Sequence, residues 1–241
     1  NFVANNLPGG ISVLAVSEKG NLFNAPETYM NKIATGKIDK GLIDLDYSLE
    51  KNIKNLSEFR NKKISSITAC IMDRPRHKKI IDKLKDLGVN VKLITDGDVF
   101  GALYVSNPKY NVDIFLGIGG GPEGVLAASA LDAYDCYFQG RFIFDNDKTI
   151  KEAKKIGLVD LDKKYDLNEI IKGDSIFCAT AITDSDFLKG ISIKSLDYTS
   201  ETLVTHKGSN YKGVIKKINL INEWSQYLKK NGKRIKLIKT L

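Results

Sequence analysis

The chain has 241 residues, of which 42% are hydrophobic and 27% charged, and its net charge at pH 7 is +8. This composition predicts one large or two modest globular domains and excludes an extended disordered protein. The lysines are spread along the chain, and no basic run is interleaved with aromatic residues. We therefore expect no nucleic-acid partner, although the positive field favours anionic substrates.

Three cysteines, Cys70, Cys136 and Cys178, lie far apart in apolar segments. Their odd number and wide spacing are typical of buried thiols in a reducing compartment, rather than of a disulfide framework or a zinc site. No signal peptide is recognisable, and no apolar run reaches the ~18 residues that a membrane span needs. The sequence thus predicts a cytoplasmic protein without a membrane partner.

The N-terminal quarter predicts a β-hairpin and a surface helix. Ile11–Val16 and Asn21–Phe23 flank a glycine-containing turn, and this arrangement favours a hairpin. A turn then leads to a short amphipathic stretch, Thr28–Ile33, and Leu49–Phe59 has the pattern of a helix. Within this part, Tyr29 taken alone is more consistent with a core aromatic residue than with a binding residue.

From Ile64 onward the sequence alternates between strand and helix patterns, which is typical of a parallel sheet with helical crossovers. Ile64–Met72 predicts a strand and Lys78–Leu87 a helix, with Arg74-Pro75-Arg76-His77 between them. Two guanidinium groups that flank a proline at a helix start favour a phosphate clamp, because each can form bidentate hydrogen bonds. The alternative is a pair of exposed surface arginines. We expect His77 to face solvent.

The next unit repeats this plan with acidic residues. Val89–Ile94 predicts a strand and Val99–Val105 a short helix, with Asp96 and Asp98 in the turn between them. Asp98 is placed as a helix N-cap, which leaves Asp96 without a capping role. Paired carboxylates at the carboxyl end of a strand suit hydrogen bonds from sugar hydroxyl groups.

The third unit contains a glycine-rich turn. Val112–Ile118 predicts a central parallel strand buried on both faces, and Gly119–Gly121 bring bare backbone N–H groups to its carboxyl end. We expect Pro122 to begin a helix with Glu123 in its first turn. Since a carboxylate repels a bound phosphate, a divalent cation is predicted between them. Alternatively, Glu123 complements the helix dipole and the glycines form a tight turn.

The C-terminal part predicts supporting structure. Thr180 and Thr183 are expected to be turn hydroxyls, and His206 to face solvent from an alternating strand. The predicted elements are a strand within Asp132–Phe144, a helix at Thr149–Ile156, a buried strand at Ser175–Thr180, paired strands at Glu201–His206 and Tyr211–Lys217, and a helix at Asn222–Leu228 carrying Trp224.

Three successive strands thus present polar groups at one end, which together indicate a sugar-phosphate pocket. In order and spacing, the motifs of nearly the whole chain resemble the class II fructose-1,6-bisphosphatases. They are Asn24-Ala25-Pro26 with Tyr29-Met30, Arg74-Pro75-Arg76-His77, Asp96-Gly97-Asp98-Val99, Gly117-Ile118-Gly119-Gly120 to Pro122-Glu123-Gly124, Ala179-Thr180 to Ile182-Thr183, and Glu201-Thr202-Leu203. The resemblance implies an α/β fold, namely the layered α/β/α/β/α architecture of the inositol-monophosphatase-like sugar phosphatases.

The resemblance also implies a substrate, a cofactor and residue roles. The substrate is a sugar bisphosphate and the cofactor Mn²⁺ or Mg²⁺, in a protein expected to be a homo-oligomer. The implied substrate-binding residues are Tyr29, Arg74, Pro75 and Arg76 at the distal phosphate, Asp96, Gly97 and Asp98 at the sugar hydroxyls, and Gly120 through its backbone. Glu123 is the implied metal ligand.

Two departures from the family pattern matter. Many members have lysine where this chain has Arg74, which changes the geometry of the donor group. The family's Asp-Pro-Ile/Leu-Glu-Gly-Thr motif and its earlier acidic metal ligands are expected just before Asn1, so no catalytic residue is expected within the chain. We accordingly expect residues 1–60 to be the remainder of an N-terminal α+β domain and residues 61–241 to be the α/β domain with the binding loops.

Three functional hypotheses follow. The first is metal-dependent hydrolysis of the 1-phosphate of fructose 1,6-bisphosphate, either alone or with activity on sedoheptulose bisphosphate. The second is a non-catalytic fragment that binds sugar phosphates. The third, a nucleotide-binding domain, is disfavoured because Pro122 interrupts the Gly-x-Gly-x-x-Gly spacing.

Overall fold

The computed structural model describes residues 3–5, 7–194 and 197–220, which form two β-sheets and six α-helices. The strands are β1 (Ile11–Ser17), β2 (Tyr29–Thr35), β3 (Thr68–Met72), β4 (Asn90–Ile94), β5 (Ile114–Gly120), β6 (Tyr137–Ile143), β7 (Lys164–Asp166), β8 (Ser175–Ala181), β9 (Ser192–Lys194), β10 (Asp197–His206) and β11 (Tyr211–Leu220). The helices are α1 (Leu49–Arg60), α2 (Lys78–Asp86), α3 (Asp98–Leu103), α4 (Gly121–Asp132), α5 (Asp147–Lys155) and α6 (Leu167–Ile170). This mixed content confirms the predicted α/β class and is consistent with a sugar-phosphatase fold.

The larger sheet has six strands in the order β4-β3-β5-β2-β6-β7. As predicted, β5 lies inside the sheet, and β3, β4 and β5 are parallel. The sheet as a whole is mixed, because β2, which precedes this parallel part in the chain, inserts antiparallel between β5 and β6. The stretch from Thr28 to Ile33 therefore belongs to a central strand rather than to a short amphipathic connection.

The smaller sheet has the order β1-β8-β10-β11, with β9 paired to β10. The predicted hairpin between β1 and Asn21–Phe23 is wrong, since β1 pairs with β8 instead. Leu22 forms an isolated antiparallel bridge with Ile171, so the glycine-containing turn ends β1 without folding the chain back on it. The pairing of β10 with β11 confirms the predicted strand pair.

Local capping explains why the helices begin and end near their predicted positions. The Ser48 side chain accepts a hydrogen bond from the Lys51 N–H at the start of α1, and Asn146 does the same for Thr149 in α5. After α2, Gly88 adopts a positive φ of +76°, which glycine tolerates without strain. In contrast, Ile64–Ser66 forms a turn of 3₁₀ helix before β3, so the predicted strand begins four residues too early.

The main hydrophobic core packs the larger sheet against α1 and α2. The buried aliphatic residues of this core come from the strands, the helices and the segments that connect them. They are Ile33, Ile43, Ile53, Leu56, Ile67, Ala69, Ile71, Ile81, Leu84, Val89, Ile114 and Leu116. Cys70 and Cys136 are buried as predicted, and burial raises the pKa of each thiol to about 12. Cys178 is only half-buried.

The chain divides into two compact units. One contains residues 13–178 and 204–212 and includes the larger sheet with all six helices. Among the described residues, the other contains residues 3–5, 7–12, 179–194, 197–203 and 213–220. Within the described residues, no helix is long and apolar enough to span a membrane. The predicted helix at 222–228 lies outside the described residues.

Candidate functional site

The carboxyl ends of β3, β4 and β5 carry most of the predicted site residues. Since the three strands are parallel and adjacent, the segments that follow them lie at one edge of the larger sheet. These segments are residues 74–77, 96–98 and 120–123. Tyr29 joins them from β2, where it lies opposite Gly120 in the antiparallel ladder.

Arg76 and Tyr29 form the first half of this edge. The Arg76 Nε donates a hydrogen bond of 2.8 Å to the Ile118 carbonyl, and the guanidinium lies 5.1 Å from the centre of the Tyr29 ring. Both side chains are exposed. The backbone contact and the ring fix the guanidinium in place, while its other N–H donors can serve an anion.

Arg74 and Asp96 form the second half. Arg74 Nη2 lies 3.5 Å from Asp96 Oδ1, and the two side chains are 38% and 48% exposed. The same carboxyl oxygen accepts a hydrogen bond of 3.0 Å from the Gly97 N–H. Pro75 lies between the two arginines and begins the short 3₁₀ turn that contains Arg76. The structure thus places Arg74 beside an acidic partner and Arg76 beside an aromatic one.

His77 is fully buried, so the prediction that it faces solvent is wrong. Its Nδ1 lies 2.8 Å from the Met72 carbonyl, and its Nε2 accepts the N–H of Ile118, also at 2.8 Å. Because a carbonyl cannot donate, Nδ1 carries the proton and the ring is neutral. Burial lowers the pKa of His77, which favours the same neutral form.

The His77 imidazole binds β5 at a point beyond the last residue pair that joins β5 to β3. The ladder between β3 and β5 joins Ala69 to Ile114 and Cys70 to Phe115, whereas β5 continues to Gly120. His77 binds the Ile118 N–H and Arg76 binds the Ile118 carbonyl. Two consecutive side chains therefore connect the arginine segment to the strand that leads into the glycine turn.

Asp98 is not the N-cap that its position in the sequence suggests. Gly97 occupies the cap with a positive φ of +79°, and Asp98 is the first residue of α3. The Asp98 side chain is only 10% exposed, and its Oδ2 accepts a hydrogen bond of 2.5 Å from Lys32 Nζ. Instead of capping α3, the Asp98 side chain forms a buried ion pair with a residue that is far away in the sequence.

Lys32 contacts a residue of the candidate site, although the sequence did not indicate it. It lies in the middle of β2 and is 1% exposed, and burial lowers its pKa while Asp98 and, more weakly, Glu123 oppose that shift. Its cross-strand neighbours are Gly117 in β5 and Gly140 in β6. These glycines belong to other strands, so the sequence around Lys32 carries no local signal of its burial.

The glycine turn differs in one respect from the predicted anion cradle. Helix α4 begins at Gly121, one residue earlier than expected, with Pro122 second and Glu123 third. The Gly121 N–H donates a hydrogen bond of 2.7 Å to the Thr28 carbonyl. This N–H group is therefore not available to a ligand, although its glycine lies in the predicted turn.

Gly120 and Glu123 are in close contact. Gly120 is the N-cap of α4, and a Cβ atom added to it would lie 2.7 Å from Glu123 Cδ. No other residue than glycine fits here without moving the carboxylate. A cavity of about 370 Å³ opens beside this contact. Its lining consists of Glu27, Thr28, Tyr29, Gly120, Pro122, Glu123, Asp145, Asn146 and Thr149.

The cavity wall at the start of α5 was also missed by the sequence prediction. Asn146 donates a hydrogen bond of 2.7 Å to Asp145 while its own oxygen caps Thr149. In the sequence, polar residues before a helix indicate only an N-cap. Their position beside Tyr29 and Glu123 depends on the pairing of β2 with β6.

The described residues do not by themselves form a metal site. Glu123 is the predicted ligand, yet this part of the chain contains no group of three or more acidic, histidine or cysteine side chains that could hold an ion. Magnesium and manganese sites need about six oxygen ligands, so one carboxylate does not fit the requirement.

The predicted turn hydroxyls lie outside this edge. Thr183 accepts a hydrogen bond of 2.8 Å from the Gly10 N–H and donates one of 2.6 Å to the Leu7 carbonyl, which confirms its structural role. Thr180 instead lies within β8 and pairs its hydroxyl with Thr202 at 2.8 Å, so it is not a turn residue. His206 is only half-exposed, and its ring contacts Asp174 at 2.6 Å.

Comparison with known proteins agrees with these motifs. A model of the family described as "Bacterial fructose-1,6-bisphosphatase, glpX-encoded" matches residues 1–221. A Synechococcus sp. (strain JA-2-3B'a(2-13)) protein named D-fructose 1,6-bisphosphatase class 2/sedoheptulose 1,7-bisphosphatase is 39% identical over 217 residues, which are 85% of this chain and 62% of the relative. Proteins of the same name from Synechococcus elongatus and Thermosynechococcus vestitus are 33% and 34% identical over 92% of this chain and 68% of each relative.

The chain spans about three fifths of the length of the first of these relatives. The match to the family nevertheless covers all of the described residues, including every segment at the carboxyl edge of β3, β4 and β5. The chain therefore belongs to the class II fructose-1,6-bisphosphatase family.

Proposed function

We propose that the full-length protein hydrolyses the 1-phosphate of fructose 1,6-bisphosphate, giving fructose 6-phosphate and phosphate. The observation that carries this proposal is the presence of an arginine–tyrosine pair and a carboxylate-bearing turn on neighbouring parallel strands, in a member of this family. Such an arrangement suits a ligand that is anionic at one end and hydroxylated in the middle.

The proposed residue roles follow from the donors and acceptors at this edge. Tyr29, Arg74 and Arg76 bind the distal phosphate, because the guanidinium groups supply charge-assisted donors. Asp96 and Asp98 accept hydrogen bonds from the sugar hydroxyls, and Gly120 contacts the substrate through its backbone. Support comes from the fixed Arg76 side chain and the held Asp98 carboxylate.

The family suggests a divalent metal, and we propose Mn²⁺ or Mg²⁺ with Glu123 as one ligand. The remaining ligands of such a site lie outside the described residues, which offer no complete set. Glu123 supports the assignment because its carboxylate lies at the start of α4 and lines the cavity beside Tyr29. We also propose a homo-oligomer and a cytoplasmic location, which suits three free thiols.

Two other candidate functions have specific support. The relatives are named as acting on both fructose and sedoheptulose bisphosphates, which favours a bifunctional enzyme. The incomplete metal site favours sugar-phosphate binding without hydrolysis for residues 1–241 on their own.

A phosphate-release assay on the full-length protein tests the proposal. Fructose 1,6-bisphosphate and sedoheptulose 1,7-bisphosphate are supplied separately, each with Mn²⁺, with Mg²⁺ or with chelator. Metal-dependent release from the fructose substrate supports the proposed reaction, and release from both supports the bifunctional form. Absence of release from either substrate with both metals contradicts the proposed hydrolysis.

A further inference from the structure

The buried ion pair between Lys32 and Asp98 is unusual because nothing in the fold requires a charge at this place. Lys32 lies in a central strand and is 1% exposed. Removing a lysine and an aspartate from water carries a large desolvation penalty, and well-packed apolar residues often stabilise a fold equally well. A purely structural role therefore gives little reason for this pair.

The surroundings of Lys32 leave room for the side chain along its whole length. A Cβ atom added to Gly119 would lie 3.2 Å from Lys32 Nζ, and one added to Gly124 would lie 3.1 Å from Lys32 Cε. The cross-strand neighbours Gly117 and Gly140 also lack side chains. The lysine thus passes between glycines of β5 and α4 to reach Asp98.

The pair includes Asp98, one of the carboxylates of the proposed site. Lys32 Nζ binds Oδ2 of Asp98 at 2.5 Å, and the charge of Glu123 also acts on Lys32. A carboxylate has two oxygens with about four acceptor positions, so the lysine uses only part of the acceptor capacity of Asp98. The remaining capacity points to a second partner that donates hydrogen bonds.

We propose that Lys32 is a positioning residue for sugar recognition, because it fixes the Asp98 carboxylate so that its other acceptor positions meet the sugar hydroxyl groups. This inference rests on the proposed function, in which Asp98 contacts the sugar. Lys32 itself touches no substrate. It acts through one hydrogen bond and one opposite charge, and it is distinct from the arginines that bind phosphate.

Calorimetry on the full-length protein tests this role with two probes. Fructose 6-phosphate carries both the phosphate and the hydroxyl groups, whereas propyl phosphate carries only the phosphate. We expect Lys32→Met to weaken binding of fructose 6-phosphate by about 10- to 100-fold, the effect of one misplaced charge-assisted hydrogen bond. Binding of propyl phosphate should stay unchanged, since the arginine–tyrosine contact is intact.

A double-mutant cycle connects the effect to Asp98. In an Asp98→Asn background, Lys32→Met should cause no further loss of sugar-phosphate affinity, because the group that it positions is already altered. Lys62→Met is the matched control. This variant breaks another lysine–aspartate pair, in which Lys62 Nζ lies 2.6 Å from Asp113 Oδ1. Because that pair lies at the opposite end of β5, the binding of both probes should stay unchanged.

Thermal unfolding shows whether each variant is folded at the temperature of the measurement. If Lys32→Met does not fold, Lys32→Gln replaces it, since the shorter amide keeps a donor but removes the charge. Equal weakening of both probes by the variant would reveal a structural role only and overturn the inference. So would an unchanged affinity for fructose 6-phosphate, or additive losses in the cycle.

The Asp98→Asn variant separates the role of Lys32 from the sugar-binding role of Asp98. If Asp98→Asn weakens sugar-phosphate binding and Lys32→Met does not, only the role of Lys32 is wrong. If Asp98→Asn has no effect on either probe, the sugar-binding role of Asp98 in the proposed function is wrong, and the role of Lys32 falls with it.

Discussion

Arg76 combines a fixed backbone contact with a free anion-binding group. Its Nε holds the Ile118 carbonyl, and its guanidinium lies over Tyr29. We expect Arg76→Ala in the full-length protein to raise KM for the bisphosphate about 10- to 100-fold, because one charge-assisted hydrogen bond contributes roughly 1.5–3 kcal/mol. Steady-state kinetics at saturating metal provide the measurement.

The neighbouring Lys78 supplies the control for this variant. It is exposed and pairs with Asp82 along α2, so Lys78→Ala removes the same charge without touching the site. Its KM should equal that of the wild type, since exposed ion pairs contribute little. An unchanged KM in Arg76→Ala would contradict the assignment of the phosphate clamp.

Asp96 and Asp98 differ in burial, and their variants should differ in stability. Asp98→Asn leaves Lys32 buried without an opposite charge, which should lower the free energy of unfolding by about 3 kcal/mol. Asp96→Asn changes an exposed carboxylate and should stay within about 0.5 kcal/mol of the wild type. Urea unfolding measures both. Equal urea midpoints for the two variants would show that the buried Lys32–Asp98 pair stabilises the fold no more than the exposed Asp96 carboxylate does.

At the scale of the elements, His77 connects the end of β3 to β5. Burial lowers its pKa below the ordinary value of 6.5, and the nearby charges of Arg76 and Arg74 act in the same direction. The unfolded chain therefore binds more protons than the folded one between these two pKa values. Stability should be complete above about pH 6.5 and fall below it, by at most about 1.4 kcal/mol per pH unit.

Replacing His77 with glutamine tests this linkage. The free energy of unfolding of the variant should be lower at pH 7.5, and its pH dependence between pH 7.5 and 5 should be weaker than that of the wild type. The other histidine, His206, lies elsewhere, so the difference between the two proteins should persist in a His206→Asn background. Identical slopes would mean that His77 is not held in the neutral form.

The predicted and observed elements agree where the signals in the sequence are local. Helices α1 and α2 were predicted closely because their signals, Ser48 before the first and Gly88 after the second, are local. Strand β2 was not, because its partners are residues 114–120 and 137–143, far along the chain. Sequence patterns indicate what a segment can form, whereas its neighbours in a sheet depend on tertiary packing.

The site follows the same division. Arg76, Asp96 and Glu123 were predicted because residues after parallel strands meet at one edge whatever else surrounds them. Lys32 and His77 were missed or misplaced because polar side chains are normally exposed. Each is buried only because a distant partner satisfies it, Asp98 for the lysine and Ile118 for the histidine.

At the scale of the whole molecule, metal binding should depend on more than the described residues. The described part offers Glu123 but no group of three possible ligands, and one carboxylate cannot compete with water for a hard cation. Calorimetry should therefore detect no micromolar Mn²⁺ affinity in residues 1–241 alone. In the full-length protein, Glu123→Gln should weaken metal activation and lower turnover together, because the amide keeps the size of the side chain and removes its charge.

Glu58→Gln is the matched control, since Glu58 lies exposed on α1 and makes only a long contact of 3.9 Å with Lys54. It removes the same charge by the same change of group, and its metal activation curve should overlay that of the wild type. Two results would show that the metal lies elsewhere. One is micromolar Mn²⁺ binding by residues 1–241, which requires further ligands within this chain. The other is an unaltered metal requirement in Glu123→Gln, which requires a site that does not use this carboxylate.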